Sequence, residues 1–409
     1  MRQLILRSLK MHKVQSFSIA LTVLLSVAVL TTFGLVYGGT MKGVQLSEER
    51  GGADVMAVPA DAANYLSNTE LLYTGAPAPI YMSEDKLDKI TSGEGVQRIT
   101  PQFYGQTLNS ACCSSTNATR LIGIDFDTDF IVKPLVPEGT FDKIDREHSI
   151  IVGSQVGGVY NGSMRILGSD YAVVATMEET GTSFDASIVA DIDLVRSMSR
   201  STQGYEDVWE EYGDPSTLVS CFMIDVADDA PGAKEGASMT AVTGRIKLAG
   251  YCTPIARSEV VAESQDQLRS VFTLLAVAAL IMVAVTLLQL FSRFYSCVWD
   301  RKAELSLYRA IGASVADVRK LIGGEIGVLV GSGLIGGLLL GFVCQFALIS
   351  LMEEGLSFPF VAPDALSCAG LVLGVVLVYA LLSLIAIAWP LSQIAKLDPS
   401  TAMQQGDID

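Results

Sequence analysis

The stretch IGVLVGSGLIGGLLLGFVCQFALISLM, residues 326–352, runs for 27 residues without an Asp, Glu, Lys or Arg. An α-helix rises about 1.5 Å per residue, so a helix of this length exceeds the roughly 30 Å hydrocarbon core of a bilayer. Apolar helices in the cores of soluble proteins are shorter than this. The stretch therefore predicts a membrane-spanning helix.

Three further apolar runs, residues 17–37, 270–292 and 365–390, raise the number of predicted spans to four. The first run is longer than the apolar part of a signal peptide, which is about 7 to 15 residues, and Gly38-Gly39-Thr40 is not a typical cleavage site. We favour an uncleaved anchor. The predicted fold class is an α-helical membrane protein with four transmembrane helices and a large polar block between the first two.

The charges of the short flanking segments predict the orientation of the spans. Four basic and no acidic residues precede the first span, and residues 293–320 carry six basic against three acidic residues. The loop after the third span has three acidic residues and no basic one. Lys and Arg accumulate on the cytoplasmic side, so both termini are expected inside and the polar block outside. The segment before the first span fits an interfacial helix or an ordinary basic flank equally well.

The chain carries 28 basic and 44 acidic residues, and the acidity belongs to the polar block. Between Lys42 and Arg269 there are 17 basic and 34 acidic residues, which gives that block a net charge of −17. An acidic block without a basic stripe disfavours nucleic-acid binding. The long apolar runs also disfavour a disordered acidic protein.

Templates of catalytic sites are missing from the sequence. No Lys follows a Gly, so the chain lacks the core of a phosphate-binding P-loop, and only two His residues occur. Asp125, Asp127 and Asp129 imitate the start of a calcium loop, but Phe130 and Val136 stand where Gly and Glu are needed. We therefore expect a non-enzymatic chain with a turn at these aspartates.

The inner loop RKAELSLYRAIGASVADVRKLIGGE, residues 301–325, suits docking to a cytosolic partner. Its apolar residues Leu305, Tyr308, Ile311 and Val315 recur at helical spacing and can share one face. The adjacent Gly312-Ala313 pair is small enough for another backbone to approach closely.

This loop resembles the signature of FtsX/MacB-type ABC transporter permeases, in which Arg-Glu-x-x-x-x-Arg-Ala-x-Gly-Ala precedes a Glu at the start of the third span. Only Ala303 departs from the usual pattern. Residues 6–25 and 394–407 resemble the first-span region and the closing element of the same family. The resemblance assigns ATPase coupling to Glu304, Leu305, Tyr308, Arg309, Ala310, Gly312 and Ala313.

Four spans with one large first loop resemble the MacB-like branch. The resemblance implies a homodimer, or a heterodimer with a sister permease, on two copies of a cytosolic ABC ATPase in a bacterial plasma (inner) membrane. ATP and Mg would bind that ATPase, and this chain would bind no cofactor. An adaptor or substrate protein on the outer side is a further candidate partner, and membrane lipid surrounds the spans.

The third span carries two ladders of small residues at spacings of four, which favour close helix packing. They are Gly323, Gly327 and Gly331, and then Gly333, Gly337 and Gly341. Glu325 lies near the inner end of the span, where pairing with Arg293 or Arg319 and snorkelling to the interface are both open.

The outer block begins and ends with a strand, helix, strand pattern, which predicts one α+β layer built from both ends. Its middle, about 111–215, contains strand and turn patterns and is predicted to be an inserted β-rich lobe. This arrangement matches the porter-like layer of MacB-like permeases.

Four cysteines of the outer block face an oxidising side. Cys221 and Cys252 flank one predicted crossover and are candidates for a disulfide or for buried free thiols. Cys112 and Cys113 are adjacent and are candidates for a strained disulfide, a metal site or pairing with the other two.

The predicted organisation follows from these segments: 1–16 interfacial helix, 17–38 first span, 39–268 outer domain, 269–292 second span, 293–321 coupling loop, 322–352 third span, 353–364 outer loop, 365–390 fourth span and 391–409 tail. The expected function is a permease that couples ATP hydrolysis by its partner to outer-domain movement, for export or extraction. Two alternatives stay open: metal- or redox-linked transport through Cys112-Cys113, and a non-transporting regulator of an outer enzyme.

Overall fold

The computed structural model describes residues 13–64, 80–91, 94–108, 113, 119–202, 204–229, 231, 234, 236–300, 307, 311–355 and 360–396. The chain divides into two compact units. The membrane unit comprises Met1–Gly39, Arg269–Gly355 and Ala362–Asp409, and the outer domain comprises Thr40–Leu268 and Leu356–Val361. Most of the predicted interfacial helix and of the C-terminal tail lies outside the described residues.

The helices are α1 (Lys13–Arg50), α2 (Lys86–Thr91), α3 (Ile192–Arg200), α4 (Glu206–Tyr212), α5 (Ala237–Ala249), α6 (Arg257–Asp300), α7 (Val315–Gly355) and α8 (Ala365–Lys396). The strands are β1 (Val55–Pro59), β2 (Met82–Ser83), β3 (Val96–Leu108), β4 (Thr119–Ile124), β5 (Ser149–Val152), β6 (Ser163–Ile166), β7 (Ser169–Thr176), β8 (Ser187–Asp191), β9 (Leu218–Val219), β10 (Cys221–Val226) and β11 (Cys252–Ala256).

In the described part of the chain, four helices are long and apolar enough to cross a membrane, which confirms the predicted number of spans. Their apolar parts are Ser16–Arg50, Leu268–Ser296, Val315–Ile349 and Ala365–Ala388. The helices α1 and α6 are 38 and 44 residues long. Both exceed the roughly 20 residues that cross the hydrocarbon core.

The core of the membrane unit combines apolar packing with one buried polar cluster. Val23 and Val27 of α1 pack with Phe294 of α6. Between them, the Thr286 hydroxyl donates to Ser26 Oγ at 2.8 Å, and Ser26 also bonds the Tyr379 hydroxyl of α8. Polar groups at membrane depth need partners within the protein, so this cluster specifies how α1, α6 and α8 pack.

The outer domain is built on a nine-stranded mixed sheet with the order β11-β1-β10-β3-β4-β8-β5-β7-β6. The four strands at one end of this order come from the two ends of the domain's sequence. Taken as first to fourth in the chain, β1, β3, β10 and β11 lie in the order 4-1-3-2, with α2 and α5 in the two crossovers. This is the arrangement of a split βαβ layer, as the sequence predicts.

The strands between β3 and β10 in sequence extend the same sheet. The first of them, β4, pairs antiparallel with β3 and parallel with β8. Apolar side chains cover both faces of the sheet, with Ile122 and Val189 on one face and Phe103 and Phe222 on the other. Burial on both faces explains why the central strands read as nearly continuous apolar runs.

Candidate functional site

The coupling loop between α6 and α7 is described only in part. Glu304, Leu305, Tyr308, Arg309 and Ala310 lie outside the described residues. The other two predicted coupling residues, Gly312 and Ala313, lie in the turn before α7, and Gly312 has a φ of 105°. Only glycine adopts such a conformation readily, so the turn requires glycine at this position.

A capping box fixes the start of α7 directly after this turn. The backbone N–H of Asp317 donates to Ser314 Oγ at 3.2 Å, and the Ser314 N–H donates back to Asp317 Oδ2 at 3.2 Å. Reciprocal bonds of this kind satisfy N–H groups that a helix leaves free at its start. The direction of α7 relative to the turn is therefore set locally.

Two apolar side chains next to the turn are exposed. Leu307 and Ile311 are 49% and 77% exposed, and the Ile311 N–H donates to the Leu307 carbonyl at 3.0 Å. That bond has the spacing of an α-helical turn, so the two side chains lie on one face. They form a small apolar surface beside Gly312.

The two glycine ladders of α7 have different surroundings. A Cβ atom at Gly333, Gly337 or Gly341 would lie 2.6 to 2.9 Å from atoms of α1. Outside α7, no described atom lies within 4 Å of a Cβ built at Gly323, Gly327 or Gly331. The second ladder thus forms the contact between the third and first spans, while the first ladder faces no other part of the described chain.

Glu325 lies between the first two glycines of the open ladder and is only 4% exposed. A carboxylate this deeply buried is costly in a membrane unit, which makes the residue a candidate for function. Its predicted pairing with Arg293 or Arg319 stays a prediction.

The predicted cysteine pair does not lie on neighbouring strands, because β1 separates β10 from β11. Cys221 and Cys252 are buried free thiols. Burial raises the pKa of Cys221 to about 12 and that of Cys252 to about 11. Thiol exchange needs the thiolate, so neither residue is suited to redox chemistry at neutral pH.

Cys112 lies outside the described residues, and Cys113 forms an isolated bridge with Ile166 of β6. Within the described ranges, no group of three or more His, Cys, Asp or Glu side chains is arranged to hold a metal ion.

The outer end of α1 is held by the loop between β7 and β8, residues 177–186, which we call the anchor loop. Arg50 pairs with Glu178 at 2.9 Å and donates to the Glu179 carbonyl at 2.8 Å. Gly181 packs against the backbone of Gly43, where a side chain would clash. The anchor loop thus contacts α1 through charge and through close backbone packing.

A buried carboxylate holds the anchor loop in shape. Asp185 accepts hydrogen bonds from the Thr180 N–H at 2.8 Å, the Thr180 hydroxyl at 2.9 Å and the Gly181 N–H at 2.7 Å. Burial raises the pKa of Asp185, which these hydrogen bonds partly oppose. The loop is therefore a preformed element for holding α1.

The start of α6 is attached to residues beside β1 and β10. The Arg257 N–H donates to the Asp54 carbonyl at 2.9 Å, and Asp54 Oδ2 accepts from the Val226 N–H at 2.9 Å. Burial raises the pKa of Asp54. Both long helices are thus attached to the outer domain through buried or half-buried polar contacts.

Residues 276–399, which include the coupling loop and the glycine ladders, match the family model "FtsX-like permease C-terminal". This part of the chain is similar to FtsX-like permeases. The resemblance to FtsX/MacB-type ABC transporter permeases, which the coupling loop predicts, is confirmed, and so is a membrane-embedded chain. A search of curated protein sequences finds no match to this chain.

Two solved structures are similar to about half of the chain. The periplasmic region of MacB from Actinobacillus actinomycetemcomitans aligns at 11% identity and a TM-score of 0.32, covering 54% of this chain and 98% of that one. The extracellular domain of the ABC-type transporter YknZ from Gram-positive bacteria aligns at 12% identity and a TM-score of 0.28, covering 49% of this chain and 95% of that one. The similarity to permeases depends on the match over residues 276–399.

The anchor loop was not singled out by the sequence. The segment TSFDASIVADIDLV reads as strand and turn, whereas the structure has a short 3-10 helix at Ser183–Ala186 before β8. The signal is present as Thr180-Gly181-Thr182 followed by Asp185, which is typical of a side chain closing a turn. Nothing local, however, indicates that α1 would be the partner.

Proposed function

We propose that this permease is the membrane subunit of a transporter complex in which a separate cytosolic ATPase drives movement of the outer domain. The observation that carries this proposal is the permease match over residues 276–399. In this proposal, movement of the outer domain exports or extracts the substrate. The substrate does not pass through the four helices.

The inner loop supports docking of the ATPase. Leu307 and Ile311 expose apolar surface beside a turn that only glycine adopts readily and that a capping box fixes to α7. An exposed apolar pair on a rigid support is typical of a binding site, because little ordering is needed on association. The positive charge of the short segments supports a cytoplasmic position of this loop and of both termini in this proposal.

The two long helices support transmission of movement. Each is continuous from its membrane-spanning residues to residues that belong to the outer domain. At Arg50 the first helix is held by the anchor loop, and at Arg257 the second begins directly after β11. A continuous helix with fixed ends transmits displacement better than a flexible linker.

The open glycine ladder supports association of two permease chains. Gly323, Gly327 and Gly331 would allow a helix of a second copy, or of a sister permease, to approach α7 closely. The proposal therefore includes two permease chains on two ATPase subunits. An outer adaptor or substrate protein completes it.

Purification of the full chain in detergent from its native membrane, with mass spectrometry of the bound subunits, tests the proposal. We expect an ABC ATPase to co-purify, and we expect Gly312→Trp to uncouple its ATP hydrolysis from the permease. Gly213→Trp is a matched control, because Gly213 also has a positive φ and open space but lies in the outer domain. A complex without an ATPase would contradict the coupling assignment. So would ATP hydrolysis that is coupled equally well in the wild type, Gly312→Trp and Gly213→Trp.

A further inference from the structure

An arginine of the outer domain is buried and forms no salt bridge with any residue that the structure describes. Arg120 on β4 is 6% exposed, and its Nε and Nη2 atoms have no hydrogen-bond partner among the described residues. Its guanidinium lies 4.5 Å from the centre of the Tyr104 ring. A cation–π contact offsets only part of the free-energy cost of burying an unpaired charge.

The polar groups around Arg120 cannot supply the missing negative charge. They are the Tyr104 hydroxyl and the Cys221 thiol, which bond each other at 3.2 Å. Burial raises the pKa of Cys221 to about 12 and that of Tyr104 well above its ordinary value, so both are neutral near pH 7. Desolvation in turn lowers the pKa of Arg120.

A small cavity of about 20 Å³ lies beside this guanidinium. Arg257 lines it as a second cation and is paired at 3.9 Å with the Asp54 carboxylate, which does not line the cavity. Thr182 and Ser183 of the anchor loop add polar groups, and the described lining contains no Asp or Glu. A cavity of this volume has room for one particle of about the size of a water molecule.

We propose that this cavity binds a single small monovalent anion of the size of chloride, between Arg120 and Arg257. The anion would accept hydrogen bonds from the free nitrogens of Arg120 and provide its counter-charge. A water molecule fits the volume but carries no charge, and a carboxylate or phosphate group is too large for it. Because the lining includes Gly51, Thr182 and Arg257, the ion would also stabilise the anchor loop and the adjoining helix ends.

Chloride-35 NMR of the detergent-solubilised full chain tests this site. We expect saturable broadening of the chloride line that bromide reverses and gluconate does not. Arg120→Met should abolish the broadening. Arg165→Met is the matched control, since Arg165 is exposed and paired with Asp170 at 2.7 Å, and it should broaden the line as the wild type does.

If Arg120→Met fails to fold, thermal unfolding of the wild type in two salts still tests the proposed anion site. At equal ionic strength, the midpoint should be higher in potassium chloride than in potassium gluconate. An equal midpoint in both salts, broadening that gluconate removes, or broadening that survives in Arg120→Met would each overturn the proposal and leave a cavity that holds water only.

Discussion

Asp129 shows how a single buried carboxylate organises a loop of the outer domain. The residue is 5% exposed in the turn after β4, and its Oδ2 accepts from the N–H groups of Val132 at 2.9 Å and Lys133 at 3.0 Å. Burial raises its pKa to about 6, against the backbone bonds that favour the charged form. The three aspartates at 125, 127 and 129 thus form a turn, as the sequence indicates.

This shift predicts a pH dependence of local stability. The folded-state pKa of about 6 lies above the unfolded value of 3.8, so the folded loop binds more protons between these two values. Stability therefore falls as pH rises from about 4 to about 6, by about 3 kcal/mol, and is constant above that range. Hydrogen exchange of residues 119–136 in the full chain, corrected for intrinsic rates, measures it.

The control separates Asp129 from the other acidic groups of the loop. Asp129→Asn should remove this slope, whereas Asp127→Asn should keep it, since the Asp127 side chain is 73% exposed. A slope that persists in Asp129→Asn would show that another group titrates.

At the scale of elements, the two glycine ladders of α7 look alike in sequence but differ in their surroundings. Both glycine ladders have the same spacing, but only the second contacts α1. Spacing reports which residues share a helix face, whereas the element that covers this face depends on the fold. The number of spans was predictable from local apolar length, and their pairing was not.

Matched alanine substitutions test this division. Gly337→Ala places a Cβ 2.6 Å from the Leu24 carbonyl oxygen and from Val27 Cβ, so the helices must shift. We expect a loss of about 1 to 3 kcal/mol in SDS-induced unfolding of the purified chain. Gly327→Ala has no described atom outside α7 within 4 Å and should leave this stability unchanged or raise it. Equal losses in both variants would contradict the assignment.

In the outer sheet, too, the local elements were predictable from the sequence and their pairing was not. The strand, helix, strand patterns at both ends of the block predicted one layer, because each pattern is local. The separation of Cys221 from Cys252 by β1 was not predictable, since it arises when the first strand of the domain inserts between two of the last. The anchor loop likewise depends on a contact between residues 50 and 178 that no local pattern reports.

Charge reversal tests the hold of the anchor loop on α1. Arg50→Glu should increase hydrogen exchange in residues 40–50, because it loses the Glu178 pair and the bond to the Glu179 carbonyl. Arg50→Glu with Glu178→Arg should restore part of the protection. The expected effect is about 1 kcal/mol, since the pair is half-exposed. Protection that is unchanged in the single variant would show that contacts other than those of Arg50, such as Gly181 packing and the Lys42–Glu179 pair at 3.8 Å, hold the helix.

At the scale of the whole molecule, the chain joins an acidic outer domain to a nearly neutral membrane unit. The net charge of −16 therefore describes the surface of one unit and not the partners of the whole chain. The proposed function requires that ATPase binding at the apolar surface of Leu307 and Ile311 changes the contacts of the anchor loop with α1.

Hydrogen exchange of the purified complex of permease and ATPase, with and without ATP, tests that communication most directly. We predict that ATP changes the exchange of the outer end of α1 and of residues 177–186 in the wild type. In Gly312→Trp the same residues should not respond, although ATP remains bound to the partner. No ATP-dependent change in the wild-type outer domain, or the same change in Gly312→Trp, would contradict the proposed coupling.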